Sequence, residues 1–137
     1  MDLTIERMDD RPGVAVIGVS GELDASSYLD LIEAGRTLHG SGATDLLIDL
    51  TDVTYLGSSG LVALHSLALL LAGREPPDPE MGWSAFHGLS VDVNEGGSSG
   101  HIRLINPQPQ VDRTLERTGM KRLFEVHPDR SAALASL

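Results

Sequence analysis

Two adjacent hydroxyls, Ser58 and Ser59, sit between glycines in the run Gly57-Ser58-Ser59-Gly60. Val53-Thr54-Tyr55-Leu56 precedes them and Leu61-Val62-Ala63-Leu64 follows. The first stretch reads as a strand coming to its end, Gly57 as the turn, and the apolar run after Gly60 as a helix. Both serines are therefore delivered to the first turn of that helix, where backbone N–H groups lack intrahelical partners and the helix dipole is positive. An anion covalently attached to Ser58 is well accommodated in such a place. The plainer role for the same residues is local, with Ser58 as the N-cap and Ser59 as an ordinary first-turn residue.

Other groups that could carry chemistry fall away on inspection. Gly96-Gly97-Ser98-Ser99-Gly100 fits the G-x-S-x-G nucleophile pattern, which requires a strand, a tight elbow and then a helix. Here His101-Ile102-Arg103-Leu104-Ile105 follows and reads as a strand, so the match is a coincidence of low-complexity sequence. Neither a G-x-x-x-x-G-K-[ST] phosphate loop nor a dinucleotide fingerprint is present. The histidines (His39, His65, His87, His101 and His127) show no paired ligand spacing, and no metal site is expected. His65 lies in an apolar helix and reads as a partly buried or interface residue. These observations favour a binding protein over an enzyme, with no cofactor and no catalytic residue.

The elements that must position Ser58 follow from periodicity. Residues 3–8 and 14–20 read as strands joined by the Pro12-Gly13 turn into an antiparallel hairpin. A helix is expected over 25–39, with Leu29, Ile32 and Leu38 on its apolar face and Asp24 as its cap. A doubly buried strand follows over 45–50, then a nearly apolar helix from Ser59 to about Gly73. Residues 101–106 read as a strand and 109–118 as a helix, with Pro109 near its start and Gly119 just past its end. A short edge strand over 124–126 and a last helix over 129–137 complete an α/β domain, a mixed sheet of four to five strands with helices packed against it. Residues 74–100 break the rhythm as a long insertion between the second helix and the next strand. Their Pro, Gly and Ser content is that of a flexible linker, although Trp83 and Phe86 are aromatics that could dock.

Composition bounds the partners. The 137 residues are enough for one domain, and 20 acidic against 10 basic side chains give a formal charge of −10. That sign repels nucleic acid and anionic lipid. There is no cysteine, no signal-peptide start, and no apolar run near the roughly 20 residues of a membrane span, so a cytoplasmic protein is expected.

Four segments in register carry a family resemblance: Gly21-Glu22-Leu23-Asp24, Leu46-Leu47-Ile48-Asp49-Leu50, Gly57-Ser58-Ser59-Gly60-Leu61, and Ile102-Arg103-Leu104-Ile105-Asn106-Pro107 with Leu115-Glu116-Arg117-Thr118-Gly119-Met120 after it. The set resembles the STAS domain of bacterial anti-sigma factor antagonists. The resemblance implies the STAS fold and a partner that is an anti-sigma factor, itself an ATP-binding serine kinase, released from its sigma factor by this chain. It implies phosphorylation of Ser58, the position matching the first serine of the family's Asp-Ser-Ser-Gly motif, and recognition of the kinase by Asp24. The partner surface then comprises Asp24, Gly57, Ser58, Ser59, Gly60, the side of the second helix around Val62 and Ser66, and the loop at Asn106. Gly57 departs from the pattern, since many relatives have Asp there, and so removes a carboxylate just before the target serine. Other STAS roles, as a subunit of a transporter ATPase or a scaffold in stress signalling, use the same domain, and a homodimer stays open.

Overall fold

A computed structural model describes residues 1–74 and 100–137. The expectations for the insertion, including Trp83, Phe86, His87 and Ser98, lie outside those residues. The hairpin forms as expected: β1 (Asp2–Arg7) runs antiparallel to β2 (Val14–Leu23) with Leu3 opposite Val19. Its turn is closed by Val14 N–H donating to the Arg11 carbonyl at 2.9 Å. α1 spans Tyr28–Gly40, β3 Asp45–Leu56 and α2 Ser58–Leu71. β4 (Ile102–Ile105), α3 (Pro109–Arg117), a 3-10 turn (Met120–Arg122), β5 (Glu125–His127) and α4 (Arg130–Ala135) follow. The five strands lie in chain order in one sheet, with β2, β3, β4 and β5 parallel.

Alternation along the strands divides the molecule into two layers of packing. Ala15, Ile17, Val19 and Leu23 of β2, with Leu46, Ile48 and Leu50 of β3 and Ile102 and Leu104 of β4, face α1, α2 and α3 in the main core. Val14, Val16, Leu47 and Ile105 point the other way and meet Ala133 and Leu134 of α4. α4 is short, and polar contacts hold it there. The buried Arg103 guanidinium donates to Ser136 Oγ at 2.8 Å and pairs with Glu125 at 3.2 Å. Arg11 donates to the Leu134 carbonyl at 2.9 Å, and Arg130 pairs with Glu6. Gly35 lets α1 and α2 touch: a β-carbon there would overlap the Leu67 side chain.

Several boundaries differ from the sequence reading, each for a physical reason. α1 begins at Tyr28, because residues 25–27 form a separate turn closed by the Asp24 carbonyl. Asp24 therefore caps that turn and not the helix. Leu29 is 48% exposed, and Leu31 and Gly35 join Ile32 and Leu38 on the buried face. β3 continues six residues past Leu50, with only Val53 and Leu56 buried in that extension. That spacing of three concealed a strand whose usual period is two.

Candidate functional site

β2 and β3 stay paired to their last residues, Leu23 opposite Leu56, so the segments leaving them emerge side by side. Gly57 N–H donates to the Leu23 carbonyl at 2.9 Å, which ties the second segment to the first. A β-carbon on Gly57 would stand 3.7 Å from Asp24 Cα. Asp24 and the serine pair, far apart in sequence, thus become neighbours through ladder register alone.

The first segment is folded by hydrogen bonds within itself. Ser27 and Tyr28 N–H both donate to the Asp24 carbonyl, at 3.1 and 2.9 Å. Asp24 Oδ1 accepts from Ser26 N–H at 2.9 Å and from Ser26 Oγ–H at 2.6 Å. Ser27 Oγ donates to the Glu22 carbonyl at 2.8 Å and accepts from Asp24 N–H at 3.1 Å, and Ser27 is buried. The Ser26 hydroxyl and N–H, then Ser27, hold the Asp24 carboxyl below its ordinary range by stabilising the charged form.

The second segment is the start of α2. Gly57 is the N-cap, with φ −86° and ψ 176°, and Leu61 N–H returns to its carbonyl at 3.2 Å. The helix therefore begins one residue earlier than expected and Ser58 is its first helical residue, not its cap. No side chain caps this end. Ser58 is exposed, Ser59 half-buried and Gly60 buried. A β-carbon on Gly60 would come within 2.8 Å of the Leu23 carbonyl oxygen and 2.6 Å of Leu56 Cδ1, so its role is close packing of helix on sheet.

Asp24, Ala25, Ser26, Tyr55, Gly57, Ser58 and Ser59 line an open depression of about 450 Å³. Among the described residues, Asp24 is the only charged side chain in that lining, and no histidine or lysine stands there to take a proton from Ser58 or Ser59. The depression can present hydroxyls and an anion to a partner. Transfer chemistry at Ser58 would need its base and its donor from that partner. Among the described residues, no group of three His, Cys, Asp or Glu side chains could hold a metal ion, and no helix is long and apolar enough to cross a membrane.

The other expected surface residues are placed differently. Val62 is 5% exposed and Ser66 1%, so neither lies on an exposed side of α2. The helix is apolar nearly all round and is buried nearly all round, His65 included. Ser66 Oγ has no hydrogen-bond partner. Asn106 is exposed but lies beside the middle of β3, donating from Nδ2 to Thr51 Oγ1 at 3.3 Å, outside the depression. Its φ of +46° turns the chain away from β4, and Gln108 and Gln110 then bond the Thr51 and Thr54 carbonyls. Three residues of the depression, Ala25, Ser26 and Tyr55, were not among the expected surface residues. Ser26 was hidden inside an assigned helix, although Asp-x-Ser is the signal of an Asx turn. Tyr55 is 54% exposed on the extension of β3 whose period was obscured.

A mixed sheet whose first hairpin feeds three parallel strands, with a glycine-capped helix leaving β3 beside the Asp24 turn, is the architecture of a STAS domain. The chain belongs to the STAS family: the family profile described as "Mlab, STAS domain" matches residues 7–76, just over half of the sequence. No curated protein matches the chain at a significant level. Among solved structures, it is similar to an anti-sigma factor antagonist from Mycobacterium paratuberculosis, at 24% identity and TM-score 0.68, over 98% of this chain and 92% of that one. The unphosphorylated form of the anti-sigma factor antagonist SpoIIAA is similar at 18% identity and TM-score 0.60, over 97% and 93%. The phosphorylated form of SpoIIAA from Bacillus is similar at 18% identity and TM-score 0.53, over 98% and 97%. At these identities the likeness establishes a shared fold.

Proposed function

We propose that this chain is an anti-sigma factor antagonist that works by partner switching. Unmodified, it binds an ATP-dependent anti-sigma serine kinase through the depression between the Asp24–Ser27 turn and Gly57–Ser59, and so frees a sigma factor. Phosphorylation of Ser58 ends the interaction. The observation that carries this reading is an exposed serine hydroxyl on the first residue of α2, beside Asp24, on a fold shared with structures of that class. The acidic depression and the net charge of −10 suit a basic partner surface. Gly60 packs the start of α2 onto the strand ends beside that surface, Val62 and Ser66 are buried, and Asn106 lies outside it.

A second reading, a STAS binding subunit of a transporter ATPase or a stress-signalling scaffold, is favoured by Gly57, which leaves Ser58 without the family's preceding carboxylate. Capture of partners from the source cell on the immobilised protein, followed by ATP and mapping of phosphate, separates the two. The antagonist reading expects a captured serine kinase and phosphate on Ser58 that is absent from Ser58→Ala. A captured transporter subunit with no phosphate on Ser58 contradicts it.

A further inference from the structure

Three serine hydroxyls line the depression, and they are not equivalent. Ser58 is exposed, but no carboxylate precedes it, because Gly57 occupies that position. Ser59 is half-buried. Ser26 is exposed and its Oγ–H donates to Asp24 Oδ1 at 2.6 Å, the ordinary length of a charge-assisted bond of this kind. The same carboxylate oxygen takes Ser26 N–H at 2.9 Å, so hydroxyl and acceptor are fixed to one another by the turn itself. Neighbouring Ser27 is buried, and its hydroxyl lies 2.8 Å from the Glu22 carbonyl and a longer 3.4 Å from Asp24 Oδ1.

We propose that Ser26 is a second phosphoacceptor of this protein, with Asp24 as the group that orients its hydroxyl and receives its proton. The inference rests on the reading of the depression as a kinase-docking surface. With its hydrogen held by Asp24, Ser26 Oγ keeps its lone pairs free for an incoming phosphoryl group. The Oγ–P bond forms, the bond from the γ-phosphorus of kinase-bound ATP to the bridging oxygen breaks, ADP leaves with that electron pair, and the hydroxyl proton passes to Asp24 Oδ1. Orienting the acceptor hydroxyl and taking its proton is the task of a carboxylate in phosphoryl transfer by protein kinases, and Asp24 is placed to do it for Ser26. At Ser58 that service must come from the kinase. Both serines line one depression, so a single docked kinase reaches either.

The test uses full-length protein, labelled ATP and an extract of the source cell as the kinase source, with phosphate mapped by mass spectrometry. The expected result is phosphate on Ser26 as well as Ser58, the former lost in Ser26→Ala and restored on the threonine of Ser26→Thr. Asp24→Asn should lower the Ser26-to-Ser58 phosphate ratio about a hundredfold, the lower end of what a positioned base contributes. Because the ratio is read within one chain, weaker docking of that variant cancels. Phosphate on Ser58 alone, or a ratio unchanged in Asp24→Asn, overturns the inference and leaves the docking reading intact. Phosphate on neither serine overturns both.

Discussion

Asp24 commits its carboxylate to its own loop, and this fixes how it responds to acid. Its folded-state value lies below the ordinary 3.8, with the Ser26 hydroxyl as the largest cause and the Ser26 N–H next. A depressed carboxyl contributes stability that is fully present above the unfolded value and is lost as pH falls through the folded one. The contribution therefore disappears below pH 3.8 and is constant at neutral pH. Titration of the Asp24 carboxyl by NMR should show a midpoint below 3.8 that moves upward in Ser26→Ala; an unmoved midpoint would remove Ser26 as the cause. Gly57 allows a second residue-scale prediction. Its φ of −86° is open to any L-residue, so Gly57→Asp introduces no backbone strain. The new carboxylate becomes the missing N-cap, worth a few tenths of a kcal/mol over glycine, while the Tyr55 ring 3.2 Å from the added β-carbon swings into solvent. Melting should rise by about 1 °C, and phosphate incorporation at Ser58 should quicken. A lower melting temperature, or slower incorporation, would show that the chain has adapted to the glycine. Ser58 and Asp24 were legible in the sequence through their motifs. Tyr55 and Ser26 were not, because their exposure depends on where β3 ends and α1 begins.

At the scale of elements, the junction of α2 with the ends of β2 and β3 governs the site. Gly60 is the contact point, and Gly60→Ala would press a methyl group against the Leu23 carbonyl and the Leu56 side chain. Overpacking of this kind costs about 1–3 kcal/mol. Denaturant unfolding of Gly60→Ala should show that loss, with hydrogen exchange accelerating first over residues 57–62. Unchanged stability would mean that α2 can lift from the sheet freely. The same junction explains what sequence periodicity could and could not convey. The hairpin, α3 with Pro109 at its start, and the left-handed Gly119 after it were all readable, because each depends on local chemistry. The continuation of β3 through its second half was not, since its burial follows ladder register with β2 and the turn toward α2. Val62 and Ser66 were placed on an exposed side for a related reason: an apolar helix declares that it is buried, but not that every face is covered.

The whole molecule is a frame that holds two turns together at one end of a sheet. The ladder between β2 and β3 brings Asp24 and Ser58 into one depression, and the helices packed on the sheet keep α2 and its N-terminus in place. A phosphate on Ser58 faces the uncapped first turn of α2, an interaction worth about 0.3–1 kcal/mol in its favour. Repulsion from Asp24 and an acidic chain offsets part of this, so the fold should be little changed. At a docked partner the same group loses water, and an uncompensated buried charge costs several kcal/mol. The second effect is the larger, and phosphorylation should act on the complex and not on the domain. Ser58→Ala should bind the kinase and resist modification, and Ser58→Glu should bind weakly. The most direct measurement is calorimetric titration of the kinase with unmodified and Ser58-phosphorylated protein, with the melting temperature of each. Partner switching requires binding weakened by about a hundredfold or more, two decades in affinity being about 2.7 kcal/mol, with melting temperatures within about 2 °C of one another. Equal affinity of the two forms, or a phosphoprotein that has largely unfolded, would contradict it.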